Sequence, residues 1–270
     1  MRLLRLMWNF VQRDATMAMS YRTAFLMPLV SVLVVVPVVH FIGLVFVGAS
    51  TQVLGAYSKG GYFAFLLLGM AFQDYVTLSM SSFLSSIREH QLMGTMEIVM
   101  LSSTPVPQIL LFSSIWGYLF TSLRFVLYLV CGLAFGLDLS GANMLSFMLL
   151  ALTAIVSFAA LGILGAAATL IIKQGASITT FLTAATLVLG GVAYPLSVLP
   201  EWLQKVALML PFTHALSGVR KALLLGTGPA ELGTELLVLG VFALVLFPTS
   251  LWVFELALRR AKVTGTLGQY

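Results

Sequence analysis

The sequence has 270 residues, of which 60% are hydrophobic and 9% are charged. A soluble domain carries about 25% charged residues, so a soluble fold built from this chain would expose one continuous apolar patch. The high hydrophobicity excludes intrinsic disorder, and the single cysteine, Cys131, excludes a disulfide scaffold. The composition indicates a polytopic membrane protein, whose net charge of +5 is to be assigned by side of the membrane and does not indicate nucleic-acid binding.

The first 22 residues combine basic and apolar side chains at helical spacing. Polar residues recur at Arg2, Arg5, Asn9, Gln12, Arg13 and Thr16, and apolar residues occupy the other faces. This pattern predicts an amphipathic interface helix over 1–22 that lies along the inner leaflet. Such a helix either only fixes the topology or also contacts a cytoplasmic partner.

Six stretches are apolar enough to cross a bilayer, for which a helix needs about 20 residues. They cover residues 23–47, 61–85, 106–135, 143–172, 177–194 and 236–258. Separate spans can pair their backbone groups only as helices, and no alternation of period two indicates a barrel. The predicted fold is therefore an all-α polytopic membrane protein, with 1–270 forming a single transmembrane domain.

The distribution of basic residues predicts the orientation. An even number of spans places both termini on one side, and that side carries nine of the 14 Lys and Arg residues. The nine are Arg2, Arg5, Arg13, Arg22, Arg88, Lys173, Arg259, Arg260 and Lys262, and the opposite side carries Lys59, Lys205, Arg220 and Lys221. Because cytoplasmic loops are enriched in basic residues, we expect a multi-pass protein of the cell (inner or plasma) membrane with both termini in the cytoplasm.

The cytoplasmic loop 86–104 is longer and more polar than a connection between two spans requires. Gly94 predicts the end of one short helix, and Thr95 predicts the cap of another, with Glu97 in its first turn. The result would be a short helix parallel to the membrane, which either docks a partner or lies inert at the interface. The charged residues exposed by this loop would be Arg88, Glu89 and Glu97.

Residues 195–225, on the opposite side, read as two apolar helices in series. Pro200 and Glu201 are typical of a helix start, and this helix must end before Pro211. A second helix is predicted from a cap at Thr213 to Gly226. Each has about half the length of a span, which favours a re-entrant hairpin over two helices that lie flat on the membrane. Further candidate residues of this region are Tyr194, Pro195, Trp202 and His214, with Tyr194 and Trp202 at the interface.

Asp74 and Arg124 are charged residues that fall deep inside predicted spans. An ionisable group at mid-membrane costs at least about 2.5–3.5 kcal/mol on insertion scales. Counted from the outer ends of their spans, both residues lie roughly 17–20 Å deep at about 1.5 Å per residue. We predict that they form an ion pair or share a polar network. The alternative is that Arg124 reaches the interface or backbone carbonyls while Asp74 caps a kink.

Several motifs of known chemistry are missing from the sequence. It has no G-x-x-x-x-G-K-[ST] phosphate loop and no G-x-S-x-G motif. His40, His90 and His214 are far apart and do not have the spacing of metal ligands. We therefore expect no enzymatic activity, cofactor or metal site in this chain. The tail 259–270 begins with a basic stop signal and has no chemistry that we can assign.

Three features of the chain resemble the permease subunits of the ABC type-2 exporter superfamily, also called type V ABC transporters. The first is the amphipathic helix before six spans. The second is the loop Arg88-Glu89 … Gly94-Thr95-Met96-Glu97 … Thr104-Pro105, which is similar to the family's ATPase-coupling element. The third is Gly191-Val-Ala-Tyr-Pro195 … Leu199-Pro-Glu-Trp-Leu203 … Leu210-Pro-Phe-Thr-His214, which is similar to the family's outer re-entrant region. Together these features cover essentially the whole chain.

The resemblance implies an ATP-driven exporter in which this chain is the permease. Two permease copies, identical or closely paralogous, would form the translocation path, and a separate ABC ATPase (nucleotide-binding) subunit would bind ATP and Mg²⁺. The ATPase-coupling residues would be Arg88, Glu89, Gly94, Thr95 and Glu97. The substrate would be amphipathic, such as a lipid, a lipid-linked glycan or a drug-like molecule. Two alternatives remain, a secondary transporter driven by an ion gradient and a membrane assembly subunit without transport activity.

Overall fold

The computed structural model describes residues 2–46, 61–95, 99, 101, 104–172 and 175–263. These residues form helices joined by short turns, and no strand is present among them, which confirms the all-α prediction. The helices are α1 (Arg2–Ser20), α2 (Arg22–Val45), α3 (Gly61–Leu92), α4 (Val106–Ala134), α5 (Met144–Ile172), α6 (Gly175–Leu189), α7 (Glu201–Leu208), α8 (Pro211–Leu224), α9 (Gly233–Val241) and α10 (Phe247–Val263).

Within the described residues, five helices are long and apolar enough to cross a membrane. They cover Arg22–Val45, Gly61–His90, Val106–Ala134, Met144–Leu170 and Gly233–Ala261, and they match the first four predicted spans and the last one. The last crossing consists of α9 and α10 joined by a π-helical segment, Phe242–Leu246. It runs past the predicted end at residue 258 to Val263, and 264–270 lie outside the described residues.

The helix in the predicted fifth span, 177–194, is shorter than expected. α6 ends at Leu189 and has 15 residues, which gives about 22 Å at 1.5 Å per residue, against a hydrocarbon core of about 30 Å. Gly190 and Gly191 follow, and Gly191 adopts a φ of +71°. This left-handed conformation favours glycine and ends a helix, so the glycine pair stops α6 before the predicted end.

α3 and α5 form the centre of the bundle. α3 packs against α2, α4, α5, α6 and α8, and α5 also contacts α9 and α10. The ring of Phe72 on α3 lies 5.9–6.4 Å from those of Phe125, Phe158 and Phe212, which come from α4, α5 and α8. Lipid tails are as apolar as these rings, so close packing rather than transfer from water holds such a cluster together in a membrane.

Glycines let the central helices approach each other closely. A Cβ on Gly162 of α5 would overlap the backbone carbonyl of Ser79 on α3. A Cβ on Gly43 of α2 would lie 2.9 Å from the Cβ of Phe63 on α3. Small residues at helix contacts are a common way to bring membrane helices into van der Waals contact, and here they position α2 and α5 against α3.

The two ends of the bundle are named here after the ends of α3, as the Gly61 end and the Leu92 end. At the Gly61 end, the ring of His40 on α2 lies 5.2 Å from Phe63 and 5.2 Å from Phe135, which follows α4. The C-terminus of α8 reaches the same end, because the Asn143 N–H donates to the Ala222 carbonyl at 2.9 Å.

α1 lies at the Leu92 end of the bundle, where Phe10 packs against Phe112 near the start of α4, with ring centroids 5.9 Å apart. The helix ends at Ser20 and lies within 1–22, the range in which the sequence predicts an interface helix. Leu4 and Trp8 are 70% and 66% exposed and form a separate apolar face. The polar face carries Asn9, Gln12, Arg13, Thr16 and Ser20.

α3 continues beyond the predicted end of the second span at residue 85 and stops at Leu92. Arg88 and Glu89 therefore belong to this long helix and not to a separate short one. No glycine or proline interrupts the sequence between Ser86 and Leu92, so nothing local ends the helix there. Gly94 follows with a φ of +64°, which is the conformation expected just after a helix end.

α7 and α8 correspond to the two predicted outer helices. α7 begins after Pro200 and ends before Pro211, as predicted. The predicted cap at Thr213 is wrong, because α8 begins at Pro211, whose fixed φ suits a first helical position. Thr213 lies inside the helix and is buried. α8 ends at Leu224, and Gly226 follows with a φ of +69°.

Candidate functional site

Asp74 and Arg124 meet halfway along the contact between α3 and α4. Nη2 of Arg124 lies 2.9 Å from Oδ2 of Asp74, and the two side chains are 20% and 24% exposed. The structure therefore confirms the predicted pairing. Breaking such a pair on one side leaves an uncompensated charge in an apolar environment, so we expect the two residues to behave as a unit.

The pair leaves part of its hydrogen-bonding capacity unused. The Nε of Arg124 is buried and has no hydrogen-bond partner among the described residues, and Oδ2 of Asp74 meets Arg124 as an ionic contact without hydrogen-bond geometry. The phenol of Tyr128, one turn further along α4, lies beside both charges. A guanidinium offers five N–H donors in a rigid fork, so Arg124 retains donors for a further acceptor.

A series of hydroxyl groups continues from this pair toward the Leu92 end. The Tyr75 hydroxyl donates to Ser122 Oγ at 2.9 Å, and Ser79 Oγ lies 2.8 Å from the Tyr118 hydroxyl. Each bond joins α3 to α4. Because an unpaired hydroxyl is costly in hydrocarbon, these bonds fix the register of the two helices.

The turn of α3 that carries Asp74 is also bonded to α6. Nε2 of the adjacent residue, Gln73, donates to Thr186 Oγ1 at 3.0 Å and to the Thr183 carbonyl at 3.4 Å. One turn of α3 therefore holds α4 on one side and α6 on the other. A shift of α4 or α6 would therefore change the geometry of the Asp74–Arg124 pair.

Arg220 is a buried arginine whose role the sequence reasoning missed, since the basic-residue count placed it at the outer surface. It is 4% exposed. Nη1 donates to the Gly191 carbonyl at 2.7 Å, and Nη2 donates to the carbonyls of Val192 and Phe65, both at 2.8 Å. The sequence does contain one indication of this burial, because Arg220 stands in an apolar segment, Leu216 to Leu225, that has few other polar residues.

The Arg220 contacts are those expected where a helix ends inside a bundle. Carbonyls at and beyond a helix end have no partner within the helix, and Gly191 and Val192 lie two and three residues past the end of α6 at Leu189. The guanidinium also lies 3.3 Å from the centroid of the Phe65 ring, in a cation–π contact. Gly69 makes room for this group, because a Cβ there would lie 2.7 Å from Nη2 of Arg220. Arg220 thereby joins α8, the end of α6 and α3.

Lys221 and Glu235 form a second pair that joins α8 to α9. Nζ of Lys221 donates to Oε1 of Glu235 at 2.5 Å, and the Glu235 side chain is 8% exposed. From the sequence, Lys221 counted as an outer surface charge and Glu235 had no assigned role. An acidic residue just before a predicted span is typical of an ordinary helix start, so the burial of Glu235 could not be predicted from its position.

The remaining outer candidates lie around α7 and α8. The Tyr194 hydroxyl donates to the Val188 carbonyl at 2.6 Å, and Nε2 of His214 lies 2.9 Å from the Leu208 carbonyl. Pro211 is buried, whereas Pro200, Glu201 and Trp202 are exposed and Pro195 is half-buried. These residues shape the connection from α6 to α8 and do not converge on one site.

The predicted coupling residues lie at the Leu92 end of the bundle. Glu89 is exposed and Arg88 is half-buried. The predicted cap at Thr95 is different in the structure, because its hydroxyl lies 3.0 Å from Nδ1 of His90 and turns back toward α3. The Thr95 carbonyl accepts the Val99 N–H at 3.0 Å, and Glu97 lies outside the described residues.

Comparison with protein families gives a match over most of the chain. Residues 10–224 match the family model of the ABC-2 type transporter. This range contains the second half of α1 and all of α2 to α8, with the Asp74–Arg124 pair, the end of α3 and the Arg220 contacts. Comparison with curated proteins gives no match.

Proposed function

Because the chain belongs to the ABC-2 type transporter family, a family of ABC transporter membrane permeases, we propose that it is the permease subunit of an ATP-driven exporter. In this proposal it works as a dimer, with itself or a close paralogue, and a separate ABC ATPase subunit binds ATP and Mg²⁺. The family match over residues 10–224 is the observation that carries the proposal.

The Leu92 end of the bundle offers the surface on which the ATPase would dock. The exposed Glu89 and the half-buried Arg88 lie in the last turns of α3, and the polar face of α1 is at the same end. α3 is one continuous helix from Gly61 to Leu92, so a force applied at Arg88 and Glu89 would act along the whole helix. This rigid connection supports a role for the loop in coupling, and we assign Gly94, Thr95 and Glu97 to the same element.

We place the Leu92 end in the cytoplasm, following the excess of basic residues on that side. α7 and α8 then form an outer re-entrant hairpin. The burial of α8 and the contact of Phe212 with Phe72, at 6.1 Å between ring centroids, support this placement. Phe72 is 11 residues from the start of α3 at Gly61, or about 16 Å along the helix.

The test of the proposal is copurification with the ATPase. We expect affinity-tagged wild-type protein to retain a soluble ATP-binding subunit whose hydrolysis rate is higher in the complex. Glu89→Lys should reduce retained ATPase and stimulated hydrolysis about tenfold, since reversing one interface charge easily exceeds 1.4 kcal/mol. Glu231→Lys is the matched control, because Glu231 is exposed in the turn before α9.

Two results would contradict the proposal. One is purification of a stable, transport-active assembly that contains no nucleotide-binding chain, which would favour a secondary transporter or an assembly subunit. The other is an equal loss of the ATPase from the Glu89→Lys and Glu231→Lys proteins, which would show that the ATPase does not dock at the Leu92 end.

A further inference from the structure

The end of α3 is a turn that leads directly into the loop assigned to ATPase coupling. The Met93 N–H donates to the Glu89 carbonyl at 2.9 Å, and the Thr95 N–H donates to the His90 carbonyl at 3.0 Å. Gly94, between these donors, has a φ of +64°. A bond from the residue after such a glycine to the carbonyl five residues earlier is the mark of a Schellman motif. The backbone therefore brings His90 and Thr95 next to each other.

The side chains of these two residues are joined by a hydrogen bond. Nδ1 of His90 lies 3.0 Å from Oγ1 of Thr95. In most Schellman motifs the corresponding contact is apolar, and an apolar contact has no preferred direction. A hydrogen bond weakens steeply when it bends, so this bond fixes the orientation of Thr95 relative to α3. The hydroxyl can donate or accept, so the bond forms whichever imidazole nitrogen carries the proton.

Thr95 is also the residue at which the next helical segment begins. Its carbonyl accepts the Val99 N–H at 3.0 Å, which is the spacing of a first α-helical turn. Val99 and Leu101 are helical, and they face different surroundings. Val99 packs against the core of the bundle, whereas Leu101 is 87% exposed. The coupling segment, residues 95–104, thus has one described side chain on the bundle and another open to a partner.

We propose that His90 is a positioning residue for ATPase coupling, because its bond to Thr95 makes the coupling segment move together with α3. The inference rests on the proposed permease function and adds a residue to its coupling element. Within the described residues, no atom lies within 4 Å of a Cβ at Gly94, so side-chain packing there does not stiffen the turn. Without the His90–Thr95 bond, a force on Leu101 would bend the chain at Gly94 and leave α3 in place.

The first measurement follows the coupling segment in the purified full-length chain in nanodiscs, without an ATPase. A nitroxide is attached to Leu101→Cys in a Cys131→Ser background, and its electron paramagnetic resonance spectrum reports how fast the segment moves. His90→Phe keeps a flat ring but removes Nδ1, and we expect it to shift the spectrum toward faster motion. His90→Asn offers a polar side-chain atom at the position of Nδ1 and should restore the slower motion.

The second measurement is ATP hydrolysis by the complex that copurifies with the tagged chain. We expect His90→Phe and Thr95→Val each to lower the kcat of stimulated hydrolysis about fivefold, the factor that corresponds to the net contribution of one hydrogen bond. The KM for ATP and the amount of retained ATPase should stay as in the wild type. This pattern differs from that expected of Glu89→Lys, which also reduces the retained ATPase.

Conservative and combined variants separate the bond from the rest of each side chain. His90→Asn and Thr95→Ser keep a polar partner and should recover most of the stimulated hydrolysis. The double variant with His90→Phe and Thr95→Val should be no worse than either single variant, since both remove the same interaction. Thr249→Val is the matched control, because the exposed Thr249 hydroxyl donates to the Val245 carbonyl at 2.8 Å, and it should hydrolyse ATP as the wild type does.

Three results would overturn the proposal. The first is an unchanged nitroxide spectrum in His90→Phe, and the second is full stimulation of hydrolysis in that variant. The third is a loss of stimulation that neither His90→Asn nor Thr95→Ser recovers and that follows the loss of retained ATPase, which would indicate a purely structural helix end. Because the spectrum requires no ATPase, its outcome is independent of copurification. A retained ATPase that His90→Phe stimulates fully would leave the proposed function intact and exclude only the role of His90.

Discussion

Arg124 and Asp74 hold each other inside the bundle, so the loss of one should depend on the presence of the other. Arg124→Leu leaves the Asp74 carboxylate without its cation, which costs about 3–5 kcal/mol in a buried pair. We expect the lower end of that range, because the two side chains are 20% and 24% exposed. Adding Asp74→Asn should recover part of the loss in melting temperature, followed by tryptophan fluorescence in detergent. If Arg124→Leu lowered the melting temperature by the same amount in the wild type and in the Asp74→Asn background, the Asp74–Arg124 contact would contribute nothing to stability.

At Arg220, we expect the stability of the fold to depend on the planar shape of the guanidinium as well as on its charge. Arg220→Met removes the donors from the carbonyls of Phe65, Gly191 and Val192, and each orphaned buried group costs about 1–3 kcal/mol. Arg220→Lys keeps the charge but loses the planar fork, so its melting temperature should lie between those of wild type and Arg220→Met. Lys205→Met, at an exposed lysine of α7, should change stability by less than about 0.5 kcal/mol. If Arg220→Met and Lys205→Met melted alike, Arg220 would not be holding the end of α6.

At the level of helices, the approach of α3 to the end of α6 depends on Gly69. A Cβ at this position would lie 2.7 Å from Nη2 of Arg220 and 3.1 Å from the carbonyl carbon of Val192. Gly69→Ala should therefore lower the melting temperature even though alanine is the better helix former by about 1 kcal/mol. Gly240→Ala is the matched control, because nothing lies within 4 Å of a Cβ there, and it should be neutral or slightly stabilising. If the Gly69→Ala protein were as stable as the Gly240→Ala protein, α3 would not approach Arg220 and the end of α6 this closely.

The helices could be predicted from the sequence, because the length of an apolar segment can be read from that segment alone. The bounds of α4 and α5 lie within one residue of the predicted 106–135 and 143–172. The Asp74–Arg124 pair followed from equal depth on consecutive antiparallel helices. The burial of Arg220 did not follow, because its partners lie 155, 29 and 28 residues away. The surroundings of the early stop of α6 could not be predicted either, because a Cβ on Gly190 would overlap the ring of Phe212 on α8, which is distant in sequence.

At the level of the whole molecule, the number of crossings decides where the termini lie. Five helices of the described residues are long enough to cross, and α6 with its 15 residues is short. If α6 and the segment up to Pro200 together complete a sixth crossing, the termini share one side of the membrane. Five crossings would instead place the termini on opposite sides, which the structure disfavours. α6 begins just after the end of α5 at the Leu92 end, whereas α8 ends at the Gly61 end beside Asn143.

Cysteine labelling in right-side-out vesicles distinguishes these two arrangements. The background is Cys131→Ser, which removes the single native cysteine, and the labelled positions are Arg5→Cys, Arg259→Cys and Glu231→Cys, all exposed. With six crossings and cytoplasmic termini, a membrane-impermeant maleimide reaches only Glu231→Cys in intact vesicles and reaches the other two after permeabilisation. Labelling of Arg5→Cys and Arg259→Cys from opposite sides would instead establish five crossings.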